Sequence, residues 1–172
     1  MSIIDPTVIG TRQPQRSFTV ERGLLRMFAR AIGETNPVYV DVEAARAAGY
    51  RDLPVPPTYF FGMNLGRGAD EDMRWLQALG VDVRYILHGE QSFRYHSMTF
   101  AGDTLLLSPR ISDVIVKKNG ALQFIVRETA VTTEDGRPIA DLVETIAVRQ
   151  PEPINKASES DKSESNCDAL TK

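Results

Sequence analysis

The second half of this chain limits its fold more than any other part. Residues 84–96, 105–117, 121–133 and 139–148 follow the two-residue period of β-strands. Asn119-Gly120 and Asp135-Gly136 separate the later runs, and both dipeptides favour the positive backbone angles of tight hairpins. Ala101-Gly102-Asp103 marks the connection before the second run. Runs joined in this way predict a four-stranded antiparallel meander.

The first half has a helical period instead. Residues 17–20 form a short strand or a helix lead-in, and residues 21–32 predict a helix. Leu24, Leu25, Phe28 and Ile32 share one face of it, and Arg22, Arg26 and Arg30 line another. Gly33 is placed to stop that helix. An alanine-rich helix over residues 42–48 ends at Gly49. Pro54-Val55-Pro56-Pro57 then breaks regular structure before residues 58–66, which are apolar around much of their circumference, as a buried helix is. Residues 70–79, with Trp75, predict another helical piece. Helices first and strands afterwards make an α+β chain. An apolar helix followed by such strands predicts a single hot-dog fold, an antiparallel sheet wrapped around a long central helix.

Residues 1–149 are read as this one domain, with no internal repeat. From Gln150 onward apolar residues become sparse, and residues 157–165 are almost wholly polar, so residues 150–172 are expected to be a flexible tail. The net charge of -3 is too small and too mixed for a nucleic-acid surface. No run approaches the roughly 18 apolar residues of a membrane span. The N-terminus has no basic stretch leading into an apolar one, so no secretory signal is expected. Cys167 is the one cysteine and cannot form an internal disulfide, which fits a cytoplasmic protein.

Between the first two helices runs Glu34-Thr35-Asn36-Pro37-Val38-Tyr39-Val40-Asp41. Further along come Ala48-Gly49-Tyr50, Pro56-Pro57-Thr58, residues 88–96 from His88 to His96, and Ala101-Gly102-Asp103-Thr104-Leu105. In that order and spacing, over residues 15–149, the chain resembles the MaoC-like dehydratases, (R)-specific enoyl-thioester hydratases. It is most similar to their N-terminal-type hot-dog modules and to the non-catalytic subunits of heterodimeric hydratases. The loop in that family reads roughly Asp-x-Asn-Pro-x-His. In this chain Glu34 stands at the Asp position and Tyr39 at the His position.

The resemblance implies reversible addition of water to a 2-enoyl thioester of coenzyme A or acyl carrier protein, with no cofactor. It also implies a homodimer, or a heterodimer with a catalytic hot-dog hydratase subunit, and a substrate bound near the subunit boundary. Such chemistry needs a base for water, a proton source for the α-carbon and amides that polarise the thioester oxygen. Glu34 is either a carboxylate base or a solvated, capping side chain. Tyr39, with a phenol pKa of about 10 against about 6.5 for an imidazole, is a poor base, and its ring is expected to pack in the former site. Asn36 is expected to hold the loop's shape and Asp41 to cap the next helix.

Pro56 and Pro57 have no amide hydrogen, so an oxyanion site there would use the amides of Thr58 or Tyr59. His88 and His96 are the only histidines and, eight residues apart, share a face of a regular strand. His96 is expected to be structural, and His88 is a candidate to line the substrate site. Glu90 and Gln91 line a pocket or satisfy a sheet edge. Two histidines with no cysteine nearby make a poor metal site, and no phosphate-binding glycine loop is present.

Three functions therefore compete. The leading one is a hydratase subunit with a degenerate dyad that needs a catalytic partner. The second is a self-sufficient hydratase using Glu34 with Tyr39 or His88. The third is an acyl-CoA-binding or thioesterase module on the same fold.

Overall fold

Both hairpins form where their glycines stand, in a computed structural model that describes residues 4–62 and 69–149. The polar tail over residues 150–172 and Cys167 lie outside the described residues. Five strands, β1 (Arg16–Thr19), β2 (Ile86–Tyr95), β3 (Thr104–Lys117), β4 (Leu122–Thr133) and β5 (Pro138–Arg149), make one antiparallel sheet in the order β1-β3-β4-β5-β2. The chain turns from β3 to β4 through Asn119 (φ 53°) and Gly120 (φ 95°), and from β4 to β5 through Gly136 (φ 85°).

The expected meander fails at one strand. β2 does not pair with β3; it crosses to the far edge and pairs with β5, from Ile86 opposite Val148 to Tyr95 opposite Ala140. Two features account for this. After β2 the chain is drawn aside by residues 53–55, where the Val55 N–H donates to Thr99 O (3.0 Å) and the Ala101 N–H to Leu53 O (2.9 Å). β1 then occupies the edge of β3 that a meander would have given to β2, with Phe18 opposite Leu105.

Among the described residues three α-helices accompany the sheet: α1 (Arg22–Ala31), α2 (Val42–Ala47) and α3 (Ala69–Ala78). α1 buries Leu25 and Ala29 completely, with Leu24 and Phe28 packed beside them. Ile32, expected on that face, is half exposed because the helix ends before it. The apolar segment expected to be a helix over residues 58–66 begins as a 3-10 helix, Pro57–Gly62. Three prolines lead into it, and Thr58, Tyr59, Phe60 and Phe61 crowd the preceding turn in an α-helix. Residues 63–66 lie outside the described residues.

The core falls into two clusters on the inner face of the sheet. One joins Val20, Leu25, Leu53, Tyr59, Leu105 and Val131. The other joins Ile4, Leu76, Val81, Ile125, Ile146 and Val148. Between them runs a rung of Ile111, Arg127, Glu144 and Gln91, neighbours across four strands.

Arg22 is exposed but not a free surface charge. Its guanidinium grips Asp52 with two bonds of 2.9 and 2.5 Å, tying α1 to the segment that leads to the prolines. That bond, helped by the Leu53 N–H and opposed by burial, holds the Asp52 carboxyl at about 2. A lowered folded-state pKa stabilises the fold above the ordinary carboxylate value of 3.8, and the gain is lost as pH falls through about 2. Asp52→Asn is therefore expected to melt below the wild type near neutral pH. The gap should narrow steadily as the melts are repeated from about pH 4 down to about pH 2.

Candidate functional site

The loop after α1 begins with a helix stop that fixes Glu34. The Gly33 N–H donates to Arg30 O (3.1 Å) and the Glu34 N–H to Ala29 O (2.9 Å), the paired bonds of a left-handed helix terminus. Gly33 supplies the required φ of +70°. A Cβ there would meet no atom within 4 Å, so the strain of Gly33→Ala is purely backbone. We expect that variant to lose about 1 kcal/mol in urea unfolding, with no change in the denaturant slope.

From this fixed start the loop is bonded inward upon itself. The Asn36 N–H donates to Glu34 Oε1 (2.8 Å), and the Val38 N–H donates to Asn36 Oδ1 (3.2 Å). A 3-10 turn, Pro37–Tyr39, follows. Asp41 caps α2, accepting from the Glu43 N–H (2.8 Å) and the Ala44 N–H (3.4 Å), as the sequence leads one to expect. Arg26 reaches across from α1 and donates to Val40 O (2.7 Å), bracing the loop from outside. The sequence hides that role, because Arg26 falls in a row of arginines on a polar helix face.

Tyr39 is half-buried. Burial first, then the nearby Glu34 carboxylate and Tyr50, push its phenol pKa above 10.0. A phenol so placed holds its proton and cannot take one from water near neutral pH.

Phe28 on α1 meets Tyr59 edge-on at 5.2 Å between ring centroids, which brings the loop's helix against the Pro57–Gly62 turn. The Tyr59 ring is only 2% exposed and belongs to the core. Its N–H donates to Pro56 O (3.0 Å), so it is not free for a ligand. Thr58 is exposed, and its amide has no backbone acceptor among the described residues. Of the two amides read as oxyanion donors, only that of Thr58 is available. The Tyr95 hydroxyl donates to Pro57 O (2.9 Å), and its ring stacks on Phe93 at 5.9 Å. No sequence pattern couples these positions, which lie 38 residues apart.

The two histidines do not share a face. Gly89 sits in a bulge between His88 and Glu90, and a Cβ on it would stand 3.1 Å from Thr145 O. One extra residue reverses the side-chain parity of β2. His88 thus pairs with Ile146, on the inner side, and its ring meets Phe61 edge-on at 5.1 Å. His96 lies just past β2 and bonds Asp141 on the outer side (2.7 Å), a structural contact. Glu90 is exposed, while the Gln91 amide donates to Val143 O (3.2 Å) and also lines a cavity of about 50 Å³. That cavity lies behind the Pro57–Gly62 turn, against Phe60, Phe61, Leu107 and Leu142. A wider trough of about 900 Å³ crosses the outer sheet face past Arg12, Arg94 and Arg110, and reaches none of the loop residues. Among the described residues no three metal-capable side chains cluster.

Residues 7–142 match the family model of the FAS1-like dehydratase domain region. The chain belongs to this dehydratase family. A UPF0336 protein of Streptomyces griseus subsp. griseus is 41% identical over 112 residues, which cover 64% of this chain and 73% of the relative. The HadBC (3R-hydroxyacyl-ACP dehydratase) complex of Mycobacterium tuberculosis contains a chain of the same fold, with a TM-score of 0.66 and 27% identity over 81% of this chain and 96% of that one. The ChsH1-ChsH2 complex of the same organism gives a TM-score of 0.65 and 25% identity over 83% and 86%. The MaoC-like hot-dog membership carried by the Asn36-Pro37 loop and its companions thus stands.

Proposed function

We propose that this chain is the non-catalytic subunit of an enoyl-thioester hydratase, or 3-hydroxyacyl-thioester dehydratase. It works beside a hot-dog partner that supplies the intact Asp/His loop. One observation carries this reading. In a loop otherwise built like a hydratase's, the Glu34 carboxylate already accepts the Asn36 amide, and the next position offers a phenol that keeps its proton. Addition of water needs a group that takes a proton near neutral pH, and no described imidazole stands at this loop.

The chain keeps the parts that hold a thioester. Asn36 shapes the loop, the exposed Thr58 amide is the oxyanion donor, and His88 with Phe61 lines the approach along β2. Tyr59 contributes by seating this turn on α1. The substrate is an acyl-CoA or acyl-carrier-protein thioester. β2 is the end strand of the sheet, ten residues long, with Leu87 and Tyr95 exposed on it. Such an edge offers unpaired amides and carbonyls to a second sheet, which supports pairing with the partner there. Two of the structural relatives bear the names of two-subunit complexes, and this likeness supports the same arrangement. The single cysteine suits a cytoplasmic enzyme.

The test is the purified chain mixed with crotonyl-CoA. Binding is expected in calorimetry, with hydration no faster than background in the enoyl absorbance assay. Robust turnover that disappears on Glu34→Ala refutes the reading and favours the self-sufficient enzyme. Release of free thiol favours a thioesterase.

A further inference from the structure

The rung between the two core clusters carries two charges that the loop chemistry does not use. Arg127 Nε and Glu144 Oε1 stand 2.7 Å apart, with side chains only 12% and 16% exposed. The Arg127 guanidinium carbon stands over the Trp75 ring, 4.5 Å from its centroid, and its far nitrogen reaches Gln13 Oε1 at 3.4 Å. Both charged side chains, with Gln91 and Thr129, wall one side of the cavity behind the Pro57–Gly62 turn. Leu107 and Leu142 continue the same sheet face, Leu142 opposite Thr129, and Phe60 and Phe61 of the turn complete the lining. Beyond the charged pair lies the second apolar cluster, with Ile125 and Ile146 next along the strands.

We infer that the cavity behind the Pro57–Gly62 turn takes the acyl tail, and that the Arg127–Glu144 pair closes its inner end and restricts this subunit to short 2-enoyl thioesters. The inference rests on the acyl-thioester reading and names the substrate class for the same site. The geometry limits the tail in two ways. A cavity of about 50 Å³ admits three or four water-sized groups, enough for the end of a short chain. A longer chain must pass from the first apolar cluster into the second, and the pair stands across that path. An apolar tail gains nothing by touching a guanidinium–carboxylate pair, and displacing the pair strands two charges away from water.

The experiment is a binding series with the full chain, from crotonyl-CoA to 2-dodecenoyl-CoA. It is read by calorimetry and by the fluorescence of Trp75, the only tryptophan. An open apolar channel tightens binding about fourfold for each added methylene. The wild type is expected to stay within about threefold across the series. In Arg127→Met/Glu144→Met, which replaces the pair by apolar side chains of similar length, the preference for 2-dodecenoyl-CoA over crotonyl-CoA is expected to rise at least about tenfold. Circular dichroism confirms that the variant is folded, and the wild-type series stands as a test without it. Steady tightening with chain length in the wild type overturns the inference and leaves the acyl-thioester reading intact. A folded double variant with the wild-type length profile also overturns it. Failure to bind any acyl-CoA removes the acyl-thioester reading, and this inference with it.

Discussion

Arg127→Met is expected to be the most destabilising single substitution of a charged residue in the sheet, at about 3 kcal/mol. It leaves the Glu144 carboxylate, 16% exposed, without its cation at 2.7 Å. The carboxylate then borders Leu142 and Ile146 on its own strand, both buried, and neither can hydrogen-bond it. For a chain of this size that loss lowers Tm by about 10 °C. Part of it reflects the Trp75 face, which loses the guanidinium standing over it at 4.5 Å. The double change Arg127→Met/Glu144→Met removes both charges at once, and its stability is expected within about 1 kcal/mol of the wild type. A thermal melt of the three proteins decides the matter. If the double variant is as unstable as the single one, packing rather than charge pairing holds this rung.

Restoring the loop is expected to produce the largest change in activity. Glu34→Asp/Tyr39→His introduces the Asp/His pair that the resemblance to the MaoC-like hydratases implies, on a backbone already fixed by the Gly33 helix stop and by Arg26 on Val40 O. A positioned acid or base contributes 10²- to 10⁴-fold, so a rise of about a hundredfold over the lone wild-type chain is expected with crotonyl-CoA. The pH profile should bend near an ordinary imidazole pKa of about 6.5. Tyr39→His alone, facing the longer Glu34, is expected to recover less. An unchanged rate in the double variant, with crotonyl-CoA still bound, would show that more than these two side chains is missing.

Much of the fold was legible because its signals are local. Glycines at 120 and 136 turn the chain whatever surrounds them, and the strands they join start and stop within a few residues of the periodic runs. Asp41 caps α2 for the same reason, since the cap bonds span only two or three residues. The strand order was not legible. β2 and β3 are separated by an eight-residue connection without a tight turn, and which edge each takes depends on β1, more than sixty positions upstream. The expected helix over residues 58–66 shows how apolar composition misleads near prolines: the segment is buried as expected at Tyr59 and Phe60 but winds as a 3-10 turn.

The site divides in the same way. The loop residues announce themselves because each bonds a neighbour two or three positions away. An eight-residue spacing puts His88 on the face of His96 in a regular strand, and one inserted glycine reverses that parity. Arg26, Tyr95 and the Arg127–Glu144 pair act across the fold through contacts 14 or more residues apart, for which one sequence holds no signal.

Isolation of this chain from its native source, with its companions intact, tests the central claim most directly. A second hot-dog subunit carrying a histidine in its own loop should come with it. Hydratase turnover by that complex should survive Tyr39→Phe and Glu34→Gln here and vanish when the companion's histidine is replaced. A homodimer of this chain alone, hydrating enoyl-CoA at full rate and silenced by Tyr39→Phe, would contradict it.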